Sequence, residues 1–225
     1  MSGPGWPARL VEQTPVGAVE VRPLRLRDGA AWAELRTRNE AWLAPWEAHA
    51  PGTRWSARHS AASYGPLLRA LRRQARQGVT LPFAVTVDGR LAGQVTVGNV
   101  VRGALNSAYV GYWVDRAVAG RGVTPTAVAL VVDHCFGPVG LHRVEADVRP
   151  ENAASRRVVE KLGFREEGLH RRYLHIDGDY RDHVVYALLR EDVPEGVLRR
   201  WRATRPDRPR PTRPTRLPVE GRPRG

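Results

Sequence analysis

The chain is poor in cysteine: Cys135 is the only one among its 225 residues. A single thiol excludes an internal disulfide, so the fold must be held together by its core. Seven histidines are present, but none has the paired spacing with cysteine or carboxylate that is typical of zinc ligands. We therefore expect no metal site. Cys135 falls on an apolar helix stripe, and we interpret it as a buried, inert thiol rather than a nucleophile.

Long apolar runs are also missing. No stretch reaches the ~18 uncharged apolar residues that a membrane helix needs. The first residues, MSGPGWP, lack the charged segment followed by an apolar run that marks a secretory leader. These absences predict a cytoplasmic protein that does not contact a membrane. The hydrophobic fraction of 42% over 225 residues suffices for one domain with a substantial core.

Positive charge is concentrated at the C-terminus. The formal net charge is +13, and residues 197–225 hold ten Arg against Asp207 and Glu220, a net of +8. Six prolines in the same segment disfavour helix and sheet. We predict a flexible N-terminal arm over residues 1–18, a folded domain over 19–196 and a disordered basic tail over 197–225. The tail is either a weak contact for RNA or a solvated appendage.

Hydrophobic periodicity divides the rest of the chain into strands and helices. Asp88-Gly89 and Asp177-Gly178 each lie between two apolar runs, which predicts two hairpins. Apolar residues at helical spacing follow Gly122 and Asn152, which predicts two helices there. The predicted order is βααβββαβαββ. It indicates an α/β fold with a mixed twisted sheet and helices on both faces.

Two strand-to-helix loops carry the strongest functional signal. The first is Gly120-Arg121-Gly122-Val123-Thr124-Pro125. Its glycines allow a tight bend, so that free N–H groups at the helix start can face a pyrophosphate. The second is Asn152-Ala153-Ala154-Ser155, with Asn152 at the N-cap position and Ser155 three residues later. Each loop alone occurs in many unrelated proteins.

Together the two loops resemble the acetyl-CoA signature of the GNAT acyltransferases. The similarity runs from about residue 19 to residue 193 and includes Asn39-Glu40-Ala41-Trp42, Tyr112-Trp113-Val114-Asp115 and Gly178-Asp179-Tyr180-Arg181. These segments resemble the branch that acetylates the N-termini of ribosomal proteins. The resemblance implies the acyl-CoA N-acyltransferase fold, with splayed central strands, and acetyl-CoA as donor. It implies acetyl-CoA contacts at Val114, Gly120, Arg121, Gly122, Val123, Thr124, Asn152 and Ser155.

Three positions depart from the common family pattern. The phosphate loop usually begins with Gln or Arg where this chain has Ala119, and continues to Gly or Ala where it has Thr124. The Tyr that many members use as general acid toward the leaving thiolate is replaced by Val159, which has no proton to donate. The ribosomal-protein branch commonly has Ser in the Asn-containing loop, and Ser155 stands there.

Acetyl transfer to an amine needs a base for the amine and a group that stabilises or protonates the leaving thiolate. Ser155 is the first candidate for the thiolate, with helix capping as its alternative role. Glu145 and Asp147 share one face of a predicted strand because side chains alternate along a strand. Either is a candidate base, and the alternative is a solvated or salt-bridged strand residue.

A loop rich in tryptophan offers a third candidate base, Glu47. It lies among Trp42, Trp46 and Trp55, and we expect this loop to shape the acceptor slot. Core anchoring is the alternative role of one or two of these tryptophans.

The sequence thus predicts an acetyl-CoA-dependent N-acetyltransferase that acts on a protein N-terminal α-amine, such as that of a ribosomal protein. Two alternatives stay open. One is a small-molecule amine, an antibiotic or a polyamine, as acceptor. The other is a non-catalytic protein that binds acyl-CoA or RNA on the same scaffold. The oligomeric state does not follow from the sequence.

Overall fold

A computed structural model describes residues 4–205 of the chain. The strands are β1 (Leu10–Thr14), β2 (Gly17–Pro23), β3 (Leu81–Val87), β4 (Arg90–Val101), β5 (Ser107–Val114), β6 (Arg143–Val148), β7 (Arg165–Ile176) and β8 (Asp179–Leu189). The α-helices are α1 (Gly29–Arg38), α2 (Glu40–Leu43), α3 (Trp55–Arg58), α4 (Ala61–Arg76), α5 (Val123–Phe136), α6 (Ala153–Leu162) and α7 (Val197–Ala203). The eight strands form one sheet in the order β1-β2-β3-β4-β5-β6-β8-β7. The predicted α/β fold is confirmed.

The sheet opens in its middle. Strands β5 and β6 run parallel, unlike all other neighbours, and pair only over residues 107–109 and 143–145. Beyond this point β5 stays bonded to β4 as far as Val114, and β6 to β8 as far as Val148. The two strands therefore diverge while each remains held by its outer neighbour. The predicted splay is confirmed.

Helix α5 lies in the core. Val128, Val131, Val132 and Cys135, which form its predicted apolar stripe, are fully buried. Burial raises the pKa of the Cys135 thiol to about 12, so the thiol stays protonated and unreactive, as predicted. Because α5 is packed along its length, its N-terminus is held in place against the sheet.

The prediction of a flexible arm over residues 1–18 is wrong for its second half. Residues 10–14 form β1, which pairs with β2 in a hairpin closed at Thr14 and Gly17. Farther upstream, the Trp6 ring packs edge-on against Phe83 with ring centroids 5.1 Å apart. Only alternate residues of β1 are half-buried, so this short edge strand carries a weak apolar pattern.

The predicted disordered tail begins too early. Val197 and Trp201, one helical turn apart on α7, are buried in the main core. The Asp133 carboxylate accepts hydrogen bonds from the N–H groups of Val197 (2.6 Å) and Leu198 (3.0 Å), which satisfies the first turn. Residues 197–205 therefore belong to the folded domain. The rest of the predicted tail, residues 206–225, lies outside the described residues, and so does its suggested contact with RNA.

Candidate active site

A groove opens where β5 and β6 diverge, with a cavity volume of about 2040 Å³. It is lined by both strands, by the starts of α5 and α6, by residues of β1 and α7, and by the loop around Trp46. Seven of the eight predicted acetyl-CoA positions line it, and the eighth, Val123, has a side chain in the core. Among the catalytic candidates, Ser155, Asp147 and Glu47 line the groove and Glu145 does not.

The loop before α5 has the backbone geometry of an anion cradle. Gly120 and Gly122 have φ values of +74° and +86°, a left-handed conformation that glycine adopts without strain. Gly122 is the N-cap of α5, so the next N–H groups have no acceptor within the helix. Free N–H donors and the positive end of the helix dipole suit this position to a phosphate.

A buried carboxylate holds the start of this loop. Asp115 accepts hydrogen bonds from Arg38 Nη2 (2.7 Å), Asn39 Nδ2 (2.9 Å) and the Ala117 N–H (3.2 Å). Asn39 Oδ1 in turn accepts from the Arg116 N–H at 3.0 Å. These bonds tie the segment before Gly120 to the end of α1. Asp115 belongs to one of the segments that resemble the family. Its anchoring role depends on Arg38 and Asn39, which are distant in sequence.

Asn152 and Ser155 have separate tasks at the start of α6. Asn152 Oδ1 accepts from the Ser155 N–H at 3.0 Å and caps the helix. The Ser155 hydroxyl is not used for capping and lies 2.8 Å from the Tyr112 hydroxyl. Capping, the alternative role considered for Ser155, is thus performed by the Asn152 side chain. The Ser155 Oγ is available for chemistry in the groove.

Tyr112 was missed as a functional residue. It lies on β5, lines the groove, and shares a strand face with Val114 two residues later. Burial raises the pKa of its phenol, so it remains protonated. Strand alternation from Val114 was the signal that could have identified Tyr112. Val159, in the place of the usual family Tyr, is fully buried.

Asp147 and Glu145 stand on opposite sides of the point of divergence. Glu145 is still paired with Tyr109 of β5, and Arg143 Nε donates to its carboxylate at 2.5 Å. Asp147 lies beyond the last β5–β6 pair, where the strands have separated. Its side chain is 9% exposed, and burial raises its pKa to about 6, with the Glu145 charge adding to the shift and His170 opposing it.

His170 is the nearest basic group to Asp147 in the described part of the chain. Its Nδ1 lies 3.5 Å from Asp147 Oδ1, beyond the distance of a good hydrogen bond, and that oxygen has no hydrogen-bond partner within residues 4–205. The His170 side chain is 42% exposed. Asp147 therefore lines the groove and lies next to His170, whose side chain is partly exposed to solvent.

Glu47 is held by two guanidinium groups and lies beside a histidine. Its carboxylate pairs with Arg36 and with Arg58 at 2.6 Å, and His59 Nε2 lies 2.8 Å from it. Burial lowers the pKa of His59 to about 3, so the ring is neutral at neutral pH. The Arg36 guanidinium is buried and lies 4.6 Å from the centroid of the Trp55 ring. A carboxylate shared by two guanidinium groups is a poor proton acceptor because its charged form is stabilised. Glu47 thus serves to anchor its loop.

The tryptophans of this loop divide between the two predicted roles. Trp42 and Trp46 line the groove, whereas Trp55 is 9% exposed and belongs to the core. Arg149 stacks on Trp46, with its guanidinium 5.3 Å from the ring centroid, and donates to the Pro45 carbonyl at 2.7 Å. The loop is therefore fixed against the end of β6, next to Asp147.

Two further observations concern the described residues as a whole. Between residues 4 and 205, no group of three His, Cys, Asp or Glu side chains is arranged to hold a metal ion. None of the helices in that range is long and apolar enough to cross a membrane.

Comparison with known proteins places these features in context. The acetyltransferase (GNAT) domain profile matches residues 19–165. The [ribosomal protein uS5]-alanine N-acetyltransferase of Escherichia coli K12 is 30% identical over 183 residues, which cover 78% of this chain and 90% of that protein. The probable N-acetyltransferase YjcK of Bacillus subtilis is 47% identical over 105 residues, which cover 47% of this chain. The chain spans only 58% of the length of YjcK.

Solved structures agree with the profile. Mycobacterium smegmatis RimJ in complex with CoA-disulfide has a TM-score of 0.87 and 45% identity, and the match covers 90% of this chain and 97% of that one. A ribosomal-protein-S5-alanine acetyltransferase from Vibrio fischeri has a TM-score of 0.72 and 27% identity, covering 81% of this chain and 98% of that one.

Proposed function

The chain belongs to the GNAT acetyltransferase family and is an N-acetyltransferase that uses acetyl-CoA, and we propose that its acceptor is the N-terminal α-amine of a protein, as on a ribosomal protein. The proposal rests on one observation above others: a single groove holds the phosphate loop, the Tyr112–Ser155 hydroxyl pair and the Asp147 carboxylate. The named activity of the uS5-alanine N-acetyltransferase relative supports the acceptor class.

Asp147 is the general base in this mechanism. With a pKa of about 6, its carboxylate is mostly ionised at neutral pH. The acceptor amine reacts as its free base, having lost its ammonium proton to solvent, and attacks the thioester carbonyl carbon. Asp147 then accepts the single N–H proton that the tetrahedral intermediate must lose. The proposal prefers Asp147 to Glu145 because Glu145 is still paired with Tyr109, before the point where β5 and β6 separate.

Ser155 acts on the leaving group. When the C–S bond breaks, its hydroxyl donates a hydrogen bond to the thiolate, which stabilises the developing negative charge. The Tyr112 hydroxyl lies 2.8 Å from Ser155 Oγ, and either hydroxyl can donate in this pair. In the mechanism Tyr112 is the donor, which leaves the serine hydrogen free to bond the thiolate. This pair replaces the family Tyr at the position of Val159.

The acceptor end suits a peptide N-terminus. Trp46 is 36% exposed at the groove and can pack against the first side chains of an extended peptide. The Trp42–Ala48 stretch is tied to β7 by a bond from the His49 N–H to the His175 carbonyl at 3.0 Å. A wall fixed in this way can orient a chain that enters amine first.

Mass spectrometry of a mixed acceptor panel tests the proposal. The purified protein is incubated with acetyl-CoA and with peptides beginning Ala or Ser, the same peptides with blocked N-termini, a polyamine and an aminoglycoside. In the panel we expect acetylation only at free peptide α-amines. In a second incubation with a ribosome extract, we expect acetylation at one or a few protein N-termini. Acetylation of the small amines alone would overturn the acceptor class, and CoA binding without turnover on any acceptor would favour a non-catalytic role.

A further inference from the structure

The short helix α7 reaches the donor end of the groove. Trp201, Arg202 and Arg205 are among its lining residues, although they come from a segment that the sequence assigned to a tail. A guanidinium nitrogen of Arg205 lies 2.7 Å from the position that a Cβ on Gly122 would occupy. Arg205 thus stands directly against the N-cap of α5.

Packing holds Arg205 in this position. Its guanidinium is 5.3 Å from the centroid of the Trp201 ring, and the Trp201 indole N–H donates to Thr126 Oγ1 of α5 at 2.9 Å. Trp201 is 6% exposed. Arg205 therefore stacks on Trp201, which is itself hydrogen-bonded to α5. These contacts restrict the position of the arginine at the N-terminus of that helix.

Among the described residues, no carboxylate balances the positive charge at this place. A cation at a helix N-terminus is opposed by the positive end of the helix dipole. Within residues 4–205, no carboxylate lies within 4.0 Å of Arg205, Arg121, Arg157 or Lys161, all of which line the groove. An anion between Arg205 and the α5 amides would satisfy both.

We propose that Arg205, which follows the end of α7, is a ligand of the acetyl-CoA pyrophosphate. It provides the side-chain contact that Ala119 cannot make at the start of the phosphate loop. This inference rests on acetyl-CoA as donor and not on the proposed acceptor, because it concerns the phosphate end of the groove. Residues 197–205 are accordingly part of the donor site.

Calorimetric titration of the full-length protein tests the proposal with three probes. CoA carries the pyrophosphate and the 3′-phosphate, dephospho-CoA carries the pyrophosphate alone, and pantetheine carries no phosphate. Arg205→Ala should weaken CoA and dephospho-CoA by a similar factor, about tenfold for the loss of one charge-assisted contact, and leave pantetheine unchanged. Arg205→Lys should recover part of the loss, since it keeps the charge without the bidentate fork.

Arg200→Ala is the matched control. Arg200 lies on α7, five residues before Arg205, and does not line the groove. Its replacement removes the same charge and should leave all three affinities within about twofold, as expected for a screened distant charge. Equal CoA affinity in Arg205→Ala and wild type would overturn the proposal. A loss of affinity for CoA but not for dephospho-CoA would also overturn it, because Arg205 would then bind the 3′-phosphate. Tighter CoA binding by Arg205→Ala would overturn it too, because Arg205 would then compete with the ligand for the anion site. These readouts need no acceptor, so failure here and failure of the proposed acceptor are distinguishable.

Discussion

The two ends of the groove are built in different ways. The donor end consists of backbone N–H groups at helix starts, placed by glycines at Gly120 and Gly122, with cations around them. The acceptor end consists of side chains brought from distant elements, among which Glu47 binds Arg36, Arg58 and His59. The backbone part of the donor end is therefore encoded in short local motifs, and Arg205 is its tertiary addition. Acceptor binding depends on tertiary contacts, which leaves it free to vary while the donor end stays the same.

Removal of α7 should have the largest effect on the free energy of unfolding, and it removes part of the donor end. A chain ending at residue 196 loses the buried Val197 and Trp201 side chains. We expect the free energy of unfolding to fall by about 3 kcal/mol or more, by analogy with large-to-small core substitutions. Thermal unfolding followed by circular dichroism measures this. A chain ending at residue 205 is the control and should match the full-length protein; equal melting temperatures for the 196 and full-length forms would contradict the packing of α7.

Ser155→Ala should separate chemistry from stability. We expect kcat to drop by about 10²-fold with the Kd for acetyl-CoA within a few-fold of wild type, because one hydrogen bond to the leaving thiolate is lost. Asn152→Ala, which removes the helix cap, should instead lower stability by about 1 kcal/mol. Single-turnover kinetics and thermal melts on both variants make the comparison. A stable Ser155→Ala protein with wild-type turnover would remove Ser155 from the mechanism.

Gly122→Val tests whether the donor end is a backbone site. A valine cannot adopt the φ of +86° without strain, and its side chain would meet Arg205. We expect the Kd for acetyl-CoA to rise by about 30-fold, equivalent to about 2 kcal/mol. Gly178→Val in the β7–β8 turn, also a positive-φ glycine, controls for strain alone. An unchanged Kd for acetyl-CoA in a folded Gly122→Val protein would contradict the assignment of this loop as the phosphate-binding site.

Glu47→Gln should have a smaller effect, confined to the acceptor. The amide keeps the shape of the side chain but weakens its bonds to Arg36 and Arg58. We expect the KM for an Ala-starting peptide to rise by about tenfold, with the KM for acetyl-CoA unchanged, as for lost ground-state positioning. Initial rates with each substrate varied in turn provide the measurement. A kcat loss as large as that of a base variant would return Glu47 to the list of candidate bases.

The same contrast explains what the sequence could predict. The strands of the sheet and the helix starts after Gly122 and Asn152 follow from periodicity and from glycine and cap placement, and the splay follows from the family resemblance; the structure agrees with each of these. Tyr112, the Glu47 anchor and Arg205 depend on side chains that meet across more than ten residues of sequence. The prediction of a disordered tail missed α7 for a specific reason. Arginine and proline dominate the composition of residues 197–225, while Val197 and Trp201 give only one turn of apolar spacing.

The pH dependence of kcat/KM for an Ala-starting peptide tests the central claim, that Asp147 at the splay is the base. Two groups must be in their working forms: Asp147, with a pKa of about 6, and the free peptide amine, with a pKa of about 8. Because Asp147 is active only when deprotonated, log kcat/KM should rise with a slope of about two below pH 6, about one from pH 6 to 8, and level off above. Asp147→Asn should be slower by about 10³-fold and keep a slope of about one below pH 8. A wild-type profile with a single slope of one down to pH 5, or an Asp147→Asn variant of near wild-type rate, would contradict the account.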